Sequence, residues 1–267
     1  MREDIKNTVR QKYAEIAAGM EGGCCGPSSS CCGDSNGISF TMIGDEYKDV
    51  DGYFSDSDLG LGCGLPTEYA GIKKGDTVVD LGSGAGNDVF IARSIVGDNG
   101  KVIGLDMTQE MIDKANINTN KLGFKNVEFK LGDIEEMPIE SNIADVVVSN
   151  CVLNLVPNKV KAFSEIHRIL KPGAHFCISD VVIKGELTEE LKQSAELYAG
   201  CVAGALEQDE YVNIIRDAGF ENIEIKKTKQ IELPGELLSQ YLSDRGLKDY
   251  EENLKGIFSI TVVGTKK

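Results

Sequence analysis

TVVDLGSGAGNDVFIARSIV, residues 77–96, decides the fold. A short β-branched run ends at Asp80 and Leu81, glycines recur at 82, 84 and 86, and a helical apolar spacing then begins. A strand that turns through glycines straight into a helix is the opening of a βαβ unit. The first turn of that helix aims free N–H groups at a ligand. The glycines let the backbone bend sharply and approach the ligand without a Cβ in the way.

Working outward, the alternation continues. Strand-like runs at 101–106 (KVIGLD), 126–131 (NVEFKL), 144–150 (ADVVVSN) and 174–183 (AHFCISDVVI) are separated by helical stretches near 87–96, 108–122 and 158–170. Strands alternating with helices predict parallel pairing through crossover helices, hence an α/β, doubly wound, mostly parallel Rossmann-like sheet. Upstream, residues 3–18 have the spacing of an amphipathic helix, 19–37 the glycine and serine content of a loop, and 38–66 no regular period. After about residue 186 the pattern loosens into helices near 188–200 and 207–218 and strands near 222–233 and 257–264, which can form an antiparallel edge. Three parts follow: an N-terminal helix with a cysteine-rich arm (1–66), a ligand-binding core (67–186), and a small α+β segment on the substrate side (187–267).

A formal charge of −15 over 267 residues argues against nucleic acid or an anionic membrane as partner, but not against a small neutral substrate. The start, MREDIKNTVRQKYAEIAAG, has no apolar run of secretory type, and no stretch approaches the length that spans a bilayer. The expected location is therefore the cytoplasm, where thiols stay reduced. Eight cysteines there point to metal binding, catalysis or burial before a disulfide framework. Only two histidines occur, His167 and His175, neither in a triad-like setting, and both read as structural.

The glycine-rich turn departs from the dinucleotide fingerprint, because Asn87 stands where G-x-G-x-x-G wants its third glycine. NAD is thereby disfavoured. The pattern Asp-x-Gly-x-Gly-x-Gly (80–86) instead resembles motif I of the S-adenosylmethionine-dependent methyltransferases. The resemblance implies that Asp80, Gly82, Ser83, Gly84 and Gly86 cradle the methionine part of that cofactor. Asp106 ends the second strand, twenty residues past Gly86, where an acid can accept hydrogen bonds from ribose hydroxyls. Asp133 matches the family position for the adenine amino group, with Ile134 against the ring. Met107 and Asn150 complete the expected cofactor set.

Four cysteines lie outside the loop at 19–37. Cys177, inside the apolar run HFCIS, reads as core packing. Cys151 directly follows the fourth strand, and in open α/β sheets ligands bind beyond the carboxyl ends of the strands. It is therefore expected at the cofactor's reactive end. Cys63 sits between glycines in GLGCGLP, a setting expected to expose its side chain. Cys201, in LYAGCVAGAL, is balanced between helical packing and a place on the same sheet edge.

Together GLGCG (60–64), DLGSGAG (80–86), SNCVLNL (149–155) and YAGCVAGAL (198–206) resemble the arsenite methyltransferases, over about residues 40–220. The resemblance implies that Cys63, Cys151 and Cys201 hold As(III), a soft centre suited to thiolates, as arsenite or methylarsenite. It also implies a further thiol upstream, for which Cys31 and Cys32 match by region only. In the stretch GGCCGPSSSCCGD (22–34) the paired cysteines have no spacer, unlike zinc ligands. Adjacent Cα atoms, about 3.8 Å apart, also fall short of the usual disulfide span. A bridge between the two pairs stays open. The arm is read as carrying thiols elsewhere: Cys31 or Cys32 to Cys63, with Cys24 and Cys25 capturing or relaying arsenite, and thioredoxin or glutathione restoring the thiols. The alternatives are a quinone-type or other small-molecule C-, O- or N-methyltransferase, and a thiol-rich metalloid-binding protein without catalysis.

Overall fold

The computed structural model describes residues 2–17, 47–192, 202–233, 235, 238–239 and 242–267. Cys24, Cys25, Cys31, Cys32 and Cys201 lie outside the described residues. A first helix, α1 (Arg2–Ala17), is followed by a short α2 (Pro66–Tyr69) and then by the alternation read from the sequence. This comprises β1 (Thr77–Leu81), α3 (Asn87–Val96), β2 (Lys101–Asp106), α4 (Gln109–Leu122), β3 (Val127–Leu131), β4 (Ala144–Asn150), α5 (Lys159–Ile169) and β5 (Leu170–Gly185). After α6 (Glu189–Lys192) come β6 (Leu206–Glu207), α7 (Gln208–Asp217), β7 (Phe220–Ile231), α8 (Asp244–Asn253) and β8 (Leu254–Lys266).

Among the described residues eight strands form one sheet in the order β3-β2-β1-β4-β5-β8-β7, with the two-residue β6 off this path against β5. Strands β3 to β5 pair in parallel, whereas β8 runs antiparallel to both β5 and β7. The expected antiparallel edge thus exists, and it extends the same sheet. Strand order reverses between β1 and β4, so the crevice at their carboxyl ends is the switch point at which such sheets bind ligands.

The β-branched runs of β1 and β4 are buried on both faces, as central parallel strands require. One face packs Phe163, Phe176 and Tyr211, with edge-to-face rings. The other packs Val89, Phe90 and Cys177. Asn158 starts α5 by accepting from the Lys161 N–H at 3.1 Å, and Gly123 ends α4 in the left-handed conformation at φ 69°.

Two elements differ from the sequence reading. Strand β5 begins at Leu170, directly after α5, because Ala144 already pairs with Leu170 before the bulged turn. Helix α8 was not anticipated, since DRGLKDYEEN carries few apolar residues. The Ser243 side chain caps it by accepting from the Gly246 N–H at 3.1 Å.

Candidate active site

A cleft of about 1080 Å³, partly open to solvent, lies over the carboxyl ends of β1, β2 and β4. Asp80, Gly82, Ser83, Gly84, Asp106, Met107, Asp133, Ile134 and Asn150, from the expected cofactor set, all line it. Gly86 is not among the lining residues. At φ 101° it takes the backbone into α3, and a Cβ there would stand 2.8 Å from the Phe90 ring, so its smallness serves the turn. Gly84 (φ 51°) meets nothing nearer than the Met111 sulfur at 4.0 Å, which leaves its face bare to the cleft.

Among the carboxylates that line this cleft, Asp80 and Asp88 are buried and Asp106 half-buried. The Asp106 oxygens accept from the backbone N–H of Thr108 and of Gly84, each at 2.9 Å, yet burial pushes its pKa up. Burial, reinforced by the charges of Asp88 and Asp106, pushes Asp80 well above the usual carboxylate range. Burial likewise raises Asp88 to about 6, against hydrogen bonds from Asn150 and Tyr47 that favour its ionised form. The Ser83 hydroxyl is buried with no hydrogen-bond partner among the described residues. A bare glycine turn, an unsatisfied hydroxyl and mutually repelling acids suit a ligand that brings hydrogen-bonding groups and positive charge. A sulfonium-bearing amino acid joined to a nucleoside fits that description.

Asp133 is held by two partners within the chain. Its Oδ2 accepts from the Lys6 ammonium at 2.6 Å, and its Oδ1 from the Glu135 N–H at 2.8 Å. Lys6, Val9 and Tyr13 make α1 one wall of the cleft, a role that helical periodicity alone could not assign.

The cysteines correct one expectation. Cys63 is 2% exposed. Its flanking glycines, instead of exposing it, let the loop press inward: a Cβ on Gly62 would lie 2.7 Å from the Asn150 amide, and one on Gly64 2.6 Å from the Ser179 hydroxyl. The Ser259 hydroxyl donates to the Cys63 carbonyl at 2.5 Å and Asn150 Oδ1 accepts the Cys63 N–H at 3.0 Å. Cys151 lines the cleft, 1% exposed, at φ 58°. That left-handed conformation costs a non-glycine residue about 1–2 kcal/mol and is held by its N–H donating to the Ser179 carbonyl at 2.7 Å. Cys63, Cys151 and Val202, the neighbour of Cys201, share one buried apolar cluster. Cys177 is sealed in the opposite core, where burial pushes its thiol up to about 12. Among the described residues no three His, Cys, Asp or Glu side chains stand close enough to hold a metal ion.

Sequence reasoning missed a second acid near the thiols. Asp180, fully buried on β5, accepts from the Tyr211 hydroxyl at 3.1 Å, and burial pushes it up to about 7 despite the Lys159 charge. Tyr211 in turn feels the charges of Cys63 and Cys151. An aspartate inside the apolar run HFCISDVVI was the available signal. The histidines are structural: His175 Nε2 contacts the Ala70 carbonyl, and His167 stacks edge-on against Phe220.

A family model described as a methyltransferase domain matches residues 72–219. The arsenite methyltransferase of Halobacterium salinarum is 40% identical over 261 residues, covering 93% of this chain and 64% of that protein. That of Aquipseudomonas alcaligenes is 36% identical, covering 68% and 54%. Among solved structures, an arsenic(III) S-adenosylmethionine methyltransferase from Chlamydomonas reinhardtii superposes with a TM-score of 0.65 at 33% identity, covering 76% of this chain and 66% of that one. The chain thus spans less than two thirds of the length of each.

Proposed function

We propose that this chain, which belongs to the methyltransferase-domain family, is an S-adenosylmethionine-dependent arsenite methyltransferase working in the reducing cytoplasm. The observation that carries the reading is the 3.0 Å hydrogen bond from the Cys63 N–H to Asn150, the residue before Cys151, at the rim of the glycine-lined cleft. Two thiols far apart in sequence thereby share one buried cluster beside a cofactor-shaped site.

Asp80, Gly82, Ser83, Gly84 and Asp106 hold the cofactor, with Met107, Asp133 and Ile134 toward its base. When bound, it supplies an electrophilic methyl group on a sulfonium. Cys63, Cys151 and Cys201 hold As(III) as a pyramid of three sulfurs, leaving the arsenic lone pair unobstructed. No proton has to leave arsenic, so the chain needs no general base; its contribution is positioning.

Methylation leaves arsenic formally pentavalent. Two thiols that close to a disulfide release two electrons and two protons, which return it to As(III). Cys31 or Cys32 with Cys63 is the pair proposed, with thioredoxin or glutathione regenerating the thiols. Tyr13 and Tyr47, which precede and follow the arm, both line the cleft. Tethering at both ends raises the effective concentration of the arm's thiols there.

The test is incubation with arsenite, S-adenosylmethionine and a thiol reductant, with speciation chromatography of the products. Mono- or dimethylated arsenic is expected. No methylated arsenic at full cofactor occupancy overturns the reading, and methylation of a quinone-type acceptor under the same conditions would replace it.

A further inference from the structure

The geometry points to Asp88, acting through Tyr47 and Asn150, as the positioning residue that seats the Cys63 peptide beside Cys151. Only the activity arm of its test rests on the arsenite reading.

Asp88 is 7% exposed in the first turn of α3. Its Oδ2 accepts from the Tyr47 hydroxyl at 3.0 Å and from the Asn150 amide nitrogen at 3.2 Å, and Thr67 donates to it as well. The Asn150 amide nitrogen also donates to the Gly64 carbonyl at 2.8 Å, so its N–H side faces acceptors on both flanks. Its oxygen is left to accept the Cys63 N–H. One side chain therefore grips the loop at Cys63 and at Gly64, and the next residue in sequence is Cys151.

The chemistry explains why an acid occupies this place. A side-chain amide offers a donor and an acceptor and can be turned either way, whereas an ionised carboxylate only accepts. With Asp88 ionised, the Asn150 amide has one favourable orientation, and that orientation presents an acceptor to Cys63. A neutral amide at position 88 could turn its NH₂ toward Asn150, which would then rotate its own nitrogen against the Cys63 N–H. The loop packs closely enough here that a Cβ added at Gly62 would lie 2.7 Å from the Asn150 amide nitrogen, which leaves little room to absorb the rotation. Tyr47 supplies another of the hydrogen bonds that fix the carboxylate, and its hydroxyl oxygen also accepts from the Asn150 amide nitrogen.

Two measurements test this. In full-length chain with Cys24, Cys25, Cys31, Cys32 and Cys201 replaced by serine, phenylarsine oxide is expected to bridge Cys63 and Cys151, which share one buried cluster. Its As–O bonds and two S–H bonds exchange for two As–S bonds and water, and arsenic stays trivalent. Asp88→Asn and Tyr47→Phe should each weaken this binding about tenfold, and the double variant should be no weaker than the poorer single one, as expected of a shared network. In the native chain Tyr47→Phe, which removes no charge from the cleft, should lower kcat for arsenite about tenfold while S-adenosylmethionine affinity stays within threefold. Tyr47→Phe removes one oxygen, so it carries the test if Asp88→Asn does not fold. Unchanged phenylarsine oxide binding in Tyr47→Phe, losses that multiply, or an equal loss of cofactor affinity overturns the proposal. If wild type methylates no arsenic but the bridging pattern holds, the arsenite reading fails and the positioning role stands.

Discussion

Cys151 and Cys177 are almost equally buried, at 1% and 0% exposure, on or just beyond neighbouring strands that pair in register. Cys177 lies within β5, opposite Val148, with apolar side chains about it and a thiol pushed up to about 12 by burial. Cys151 lies one residue past the end of β4, in a left-handed conformation, on the wall of the cleft. Burial alone does not tell these two thiols apart. Position relative to the carboxyl edge of a parallel sheet does, because only there does the backbone leave the ladder and open a crevice.

Cys151→Ser should break the comparison most severely. Arsenite binding and methylation should fall by more than the about 10–100-fold typical of losing an outer partner at a metal site, with cofactor affinity retained in a calorimetric titration. Retained turnover would remove Cys151 from the ligand set.

The next effect belongs to Asp180, carried by the same strand as Cys177. Its folded pKa, about 7, lies above the unfolded value near 3.8. The folded protein therefore binds the extra proton between these values, and this stability is full below pH 4 and lost as pH rises through 7. The loss is on the order of 4 kcal/mol. Asp180→Asn should flatten the melting temperature measured between pH 4 and 8; an unchanged slope would assign it to other groups.

Cys177→Ser should sharpen the contrast. It buries a hydroxyl in an apolar core and should cost about 1–3 kcal/mol in a urea titration, leaving kcat with arsenite unaltered. Lys6→Ala should do least. Its ion pair with Asp133 is partly exposed, so the change is about 1 kcal/mol or less, and the KM for S-adenosylmethionine should move less than about fivefold.

The parallel half of the sheet was legible because its central strands are β-branched runs closed by turn signals, and buried parallel strands allow little else. The cofactor side was legible for a related reason: a glycine turn and an acid at the end of the next strand are local features whose spacing survives folding. The Cys63 environment was not. Glycines beside a cysteine are compatible with exposure or with tight apposition, and only Asn150 and Ser179, more than eighty residues away, decide between them. The wall formed by α1 was equally hidden, since Lys6 meets Asp133 across 127 positions.

By itself the sequence determined the alternation of strands and helices from β1 to β5 and the glycine-rich turn after β1, because periodicity and residue type act over a few neighbours. The tertiary structure alone decided that Cys63 is sealed beside Cys151, that Gly86 turns the backbone into α3 against the Phe90 ring, and that Asp88, Tyr47 and Asn150 form one hydrogen-bonded network. Those outcomes depend on contacts between distant segments, and close packing of the folded chain is what selects among the alternatives the local sequence leaves open.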